Sequence, residues 1–116
     1  MYTNAGLDRI IELLEADITY IGISTGAAPV SNDILLDTEL ERKAATPLVD
    51  GFTLILDAFW DESEANGFTY TGTGVFGDGA SDTVNTGTLI AGGGINVPKD
   101  NTQSLTVSIE ITVEAV

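Results

Sequence analysis

The chain has 116 residues and a mass of 12.1 kDa, the size of one domain. Eighteen acidic residues against four basic ones give a formal charge of −14, which excludes phosphate backbones and anionic membranes as partners, because both need clustered Lys or Arg to displace counterions. The absence of Cys and His removes disulfides, the usual zinc sites and histidine general bases, while 43% hydrophobic residues and a mean hydropathy of +0.20 exclude a disordered acidic tail.

The first pattern along the chain is helical. Leu7, Ile10, Ile11 and Leu14 recur at i, i+3, i+4 and i+7, which predicts an amphipathic helix over residues 4–16 with Asn4 as its N-cap and Asp8 favoured by the helix dipole. A helix this short needs a partner for its stripe, and a sheet is expected. From Asp17 the period changes to two. Ile18–Ser24 reads as a strand closed by Thr25-Gly26-Ala27-Ala28-Pro29, followed by a turn at Ser31–Leu36. Strand pattern resumes at Arg42–Thr46, Pro47 breaks it, and Asp50-Gly51 signals a hairpin.

Residues 52–60 alternate, with Phe52, Leu54, Leu56, Ala58 and Trp60 on one face and Thr53, Ile55, Asp57 and Phe59 on the other. Both faces carry apolar side chains, as in a sandwich or an oligomer. An acidic turn, Asp61–Gly67, leads to a strand that places Phe68, Tyr70, Gly72, Gly74 and Phe76 on one face. A polar loop over Gly77–Gly87, a short strand at Thr88–Ala91, a turn at Gly92-Gly93-Gly94 and an irregular stretch through Pro98 come next. In the last strand Leu105, Val107, Ile109, Ile111 and Val113 alternate with polar residues. These elements predict a mainly β single domain over residues 1–116: an antiparallel, jelly-roll-like β-sandwich at about 18–115 behind one N-terminal helix.

No constellation in this pattern points to chemistry. Gly72-Thr-Gly74-Val-Phe-Gly77 has the letters of a dinucleotide fingerprint but no helix after it, so glycines of a twisted strand are the better account. Asp78 and Asp82 are a weak calcium candidate without EF-hand spacing; a solvated turn is the alternative. Asp57, near Phe59 and Trp60, with Glu62 or Glu64 as second carboxylate, is the sole candidate for glycosidase-type acid chemistry, and a solvated or interface acid outweighs it. The reading therefore assigns no catalytic residue, no cofactor and no enzyme activity. Glu39 and Arg42, three apart, are a candidate ion pair across one helical turn. Phe59, Trp60, Phe68 and Tyr70 are candidate interface aromatics, with a single-domain core as the equal alternative.

The order of segments resembles the N-terminal domain of phage tail-collar fibre proteins and the small stand-alone virion proteins of tailed viruses. The likeness is carried by Thr3-Asn4-Ala5-Gly6-Leu7, Ile21-Gly22-Ile23-Ser24-Thr25-Gly26, Glu39-Leu40-Glu41-Arg42, Gly67-Phe68-Thr69 leading to Gly74-Val75-Phe76, and the closing Ser104–Val113. Gly72 and Thr73 depart from it, standing where the family carries an acidic and an aliphatic residue. The resemblance implies a non-enzymatic virion component, β-rich and oligomeric, often trimeric, that docks on other virion proteins. The chain ends at Val116 directly after the last strand, and this favours a capsid decoration or cement protein docked on the major capsid protein. A tail, neck or baseplate attachment protein is the alternative, and a glycan-binding adhesin stacking sugars on Trp60, Phe68, Tyr70 or Tyr20 is a third. Met1, Tyr2 and Thr3 are the expected docking arm, disordered unless tied to a partner. With no basic leader before an apolar run and no membrane-length apolar segment, the expected location is the virion, after synthesis in a host cytoplasm. The charge predicts stabilisation by screening salt, read as an unfolding midpoint that rises between low and molar salt; a flat response overturns it.

Overall fold

In the computed structural model, which describes residues 1–114, helix α1 spans Asn4–Asp17. Its cap is Thr3, not Asn4: Thr3 is extended, and its Oγ1 accepts from the Gly6 N–H at 3.0 Å. Leu7 and Ile11 of the stripe are buried, Ile10 and Leu14 half-buried. The helix stops as the chain turns extended at β-branched Ile18, whose N–H still reaches the Leu14 carbonyl at 2.9 Å.

Seven strands follow: β1 (Tyr20–Ser24), β2 (Glu39–Ala44), β3 (Thr46–Asp50), β4 (Thr53–Trp60), β5 (Phe68–Gly77), β6 (Thr88–Lys99) and β7 (Leu105–Thr112). They form two antiparallel sheets, ordered β2-β1-β5-β6 and β3-β4-β7. The mainly β architecture with one N-terminal helix is therefore as the residue patterns predict. Between the sheets lie Ile21, Ile23, Tyr70 and Val75 from the first, Leu54, Leu56, Ala58, Trp60, Leu105 and Val107 from the second, and Ile11 and Ile18 from the helical segment. Burying each large side chain contributes about 1.5–3 kcal/mol.

Four expectations about strands are corrected. Tyr70 does not share a face with Gly72, Gly74 and Phe76: it packs between the sheets while they lie on the outer face, and the register of β5 against β6 shifts between Tyr70 and Gly72. The segment read as one strand at Arg42–Thr46 is two strands in different sheets, with Ala45 at the corner donating its N–H to the Thr19 carbonyl at 2.9 Å. Pro47 does not end a strand but sits inside β3, which borders only β4; on an edge no second neighbour demands the missing N–H. The expected turn at Gly92–Gly94 is the middle of the 12-residue β6. A Cβ at Gly92 would collide with the Thr73 carbonyl, so that glycine permits close backbone approach. Strand β6 absorbs extra residues as bulges: Tyr70 pairs with Val97 but Gly72 with Gly94, three steps of β6 against two of β5.

Candidate functional site

Along β1 and the second half of β5 the outer face of the four-stranded sheet is covered. Gly22 and Ser24 of β1 and Gly72, Gly74 and Phe76 of β5 are buried beneath the connections that precede β2 and β6. Glycine makes this possible at Gly22, where a Cβ would strike the Glu39 carboxylate, and at Gly74, where it would strike Leu89.

Glu39 and Arg42 meet in this layer. They meet on a strand and not across the expected helical turn; residues three apart on a regular strand face opposite ways, but β2 is bulged: Ile23 pairs with Glu41 and Ser24 with Glu39, leaving Leu40 extra. Both side chains then share a face. Arg42 donates through Nε and Nη2 to the two Glu39 oxygens at 2.8 and 2.9 Å, its guanidinium stacks 4.0 Å from the Phe76 ring centroid, and neither side chain is exposed. Nη1 donates to the carbonyls of Ser81 and Thr86, each at 3.0 Å, and to Thr86 Oγ1. The Asn85 N–H closes the arrangement on Glu39 Oε1 at 3.0 Å. One buried ion pair thus holds the loop between β5 and β6. Its loop partners lie 39 and 44 positions from Arg42, so no local signal in the chain announces them.

The other candidate residues are dispersed. Asp78 accepts from Thr88 Oγ1 at 2.9 Å, and its N–H is directed at the Asp17 carboxylate; among the described residues no three acidic side chains converge as a metal site. Asp57 lies on the outer face of β4, its Oδ1 accepting from Ser108 Oγ on β7. Glu64 pairs with Lys43, and Asp61 Oδ1 accepts from Ser63 Oγ at 2.6 Å and Ser63 N–H at 2.8 Å. The Lys43 ammonium holds the Glu64 carboxyl below the usual range, and the Ser63 hydroxyl does the same for Asp61.

Two of the four interface aromatics are corrected. Trp60 and Tyr70 are 0% exposed, packed between the sheets, with Tyr70 Oη donating to the Ala65 carbonyl at 2.8 Å. Neither can stack a sugar or meet a partner. Burial also raises the Tyr70 pKa. Phe59 and Phe68 remain 54% and 51% exposed, and Tyr20 is half-buried. Along β4, Trp60 shares the inward parity of Leu54, Leu56 and Ala58 while Phe59 has the outward one, which is the signal that separates them. In the expected arm Met1 and Tyr2 are exposed, but Thr3 is committed to the helix cap.

The outer face of the three-stranded sheet is open. Leu48, Ile55 and Glu110 lie across it in one row and Thr46, Asp57 and Ser108 in the next, followed by Phe59 beside Thr106. Every residue of β3 is exposed. Cations are scarce everywhere: Arg9 pairs with Glu12 at 3.1 Å, Arg42 is buried, Lys43 pairs with Glu64, and Lys99 is buried with Nζ 2.7 Å from Asn66 Oδ1. All four basic side chains of the chain are thus internally engaged. Among the described residues no helix is long and apolar enough to cross a membrane. No known protein family and no curated protein matches the chain.

Proposed function

We propose that the chain is a non-enzymatic structural protein of a tailed virus particle, a capsid decoration protein that docks as an oligomer, a trimer by preference, on the major capsid protein and stabilises the head. The resemblance in segment order supports this reading. The structural observation that carries it is the open outer face of the β3-β4-β7 sheet, where exposed Leu48 and Phe59 stand among carboxylates on a rigid sandwich. Exposed apolar side chains on a paired sheet suit a surface covered in an assembly. Catalytic geometry would require convergent titratable groups, and the acids described are spread over the helix, the turns and the sheet faces, with Glu39 buried against Arg42.

The mechanism is multivalent docking. Each copy contributes a modest contact, oligomerisation makes later contacts intramolecular, and simultaneous engagement of neighbouring subunits opposes their separation. The test is the copy number in purified virions relative to the major capsid protein, by quantitative mass spectrometry. Stoichiometry comparable to the capsid protein is expected. A few copies per particle would replace decoration with a tail, neck or baseplate role, and absence from particles would overturn the virion reading.

A further inference from the structure

We infer that the ledge formed by Phe59, with Asp57 on one side and Asp61 and Glu62 on the other, is the docking site for a partner-protein segment that carries arginine next to an apolar residue. The inference deepens the docking role proposed above by naming the surface and the chemistry of what it takes. Phe59 stands between two concavities. One, of about 390 Å³, is lined by Phe59, Asp61, Glu62, Ser63 and Ser104; the other, of about 230 Å³, by Asp57, Ala58, Phe59 and Thr106 together with Lys43, Ala44 and Thr46 of β2 and β3. A half-exposed phenyl ring between two hollows leaves apolar surface for an incoming side chain.

Charge selects the occupant. Asp61 uses only Oδ1 in its turn, and among the described residues neither Asp61 Oδ2 nor the Glu62 carboxylate accepts a hydrogen bond. Asp57 likewise spends only Oδ1, on Ser108. These acceptors face solvent beside an aromatic ring. A second copy of this chain carries the same charge of −14, and of its four basic side chains only Arg9 is widely exposed, in a surface pair with Glu12. Repulsion between copies makes another protein the source of the complement. Arginine fits better than lysine: its planar guanidinium stacks on a phenyl face while its forked donors engage carboxylates in pairs. The guanidinium then sits in the larger hollow with Asp61 and Glu62, and an adjacent apolar side chain lies in the smaller one against Ala58.

The test is a backbone amide NMR titration of the full chain at moderate salt with the blocked peptide acetyl-Leu-Arg-Leu-Arg-amide. The expected shifts concentrate on residues 57–63 and 104–106, and Phe59→Ala weakens binding about tenfold. Glu62→Gln weakens it by a smaller factor, and so does replacing both leucines of the peptide with glycine. Shifts spread over the helix carboxylates Asp8, Glu12 and Glu15, with Phe59→Ala unchanged, would reduce binding to bulk charge and overturn the proposal. Absence of any shift would overturn it equally. The virion reading fails on copy number and this one on the peptide, so the two failures are separable.

Discussion

Arg42 and Glu39 form a two-pronged ion pair with both side chains sealed from water, and the same guanidinium anchors a loop about 40 residues further along the chain. Such a pair is worth less than its Coulomb attraction, because both charges leave water to make it. Breaking it is another matter, since the survivor remains buried.

Arg42→Met is therefore expected to cost about 3–5 kcal/mol, through the stranded Glu39 carboxylate and the loss of three bonds to the loop. Glu39→Gln keeps the shape but leaves the guanidinium without its counter-charge, and a loss of similar size is expected. The double variant Glu39→Leu, Arg42→Met should recover a large part of the summed loss. Urea unfolding of the four proteins reads this directly. Strict additivity would mean that the two side chains do not act as a pair.

Lys99 presents a different balance. It is 2% exposed, and its Nζ donates to Asn66 Oδ1 at 2.7 Å and to the Asp100 carbonyl at 3.1 Å. A chain with 18 carboxylates thus gives this buried ammonium an amide as its side-chain partner. Asn66→Ala leaves the ammonium one acceptor short and is expected to cost about 1–3 kcal/mol. Asn66→Asp places a counter-charge at hydrogen-bond distance and should equal or exceed the parent in stability. A denaturant midpoint for Asn66→Asp below that of Asn66→Ala would refute the assignment.

The two pairs mark where sequence reading reaches its limit. The helix stripe and the alternation of β4 were legible because 3.6- and 2-residue periods report directly which face is buried. Glu39 and Arg42 were legible as neighbours, yet their meeting depends on a bulge at Leu40, and a bulge leaves little trace in composition. Three consecutive glycines read as a turn, but in β6 they let one strand lie close to another. Phe59 and Trp60 share aromatic character and differ in parity. Grouping them by residue type hid a distinction that the alternation already contained.

Glycine positions give a paired prediction. At Gly22 a Cβ would press into the Glu39 carboxylate and lie 3.1 Å from the Phe76 ring, both fixed by the Arg42 layer. Gly22→Ala is expected to destabilise by about 1–3 kcal/mol or more, as overpacking does. At Gly93 a Cβ meets nothing within 4 Å, and the backbone is not left-handed. Gly93→Ala should therefore be neutral or stabilising by up to about 1 kcal/mol, through the lower entropy of the unfolded chain. Thermal melts of the two variants separate glycine kept for space from glycine that space does not require.

Acid sensitivity follows from the turn between β4 and β5. Glu64 accepts from Lys43 Nζ and from the Asp61 N–H, so its folded pKa lies below the ordinary 4.5. A carboxyl with a depressed folded pKa contributes stability that is fully present above the unfolded value and is lost as pH falls through the folded one. Protonation of the other carboxylates acts in the opposite direction, by relieving the repulsion of a chain with charge −14. The two effects separate by comparison with Glu64→Gln, which removes only the first. The parent should exceed the variant by a constant margin from neutral pH down to the ordinary carboxyl value, and the margin should vanish at lower pH. Chemical denaturation at steps between about pH 7 and pH 3 measures it. A margin that does not shrink as pH falls below the ordinary carboxyl value would assign the role of Glu64 to packing and remove the Lys43 ammonium as the source of its depressed pKa.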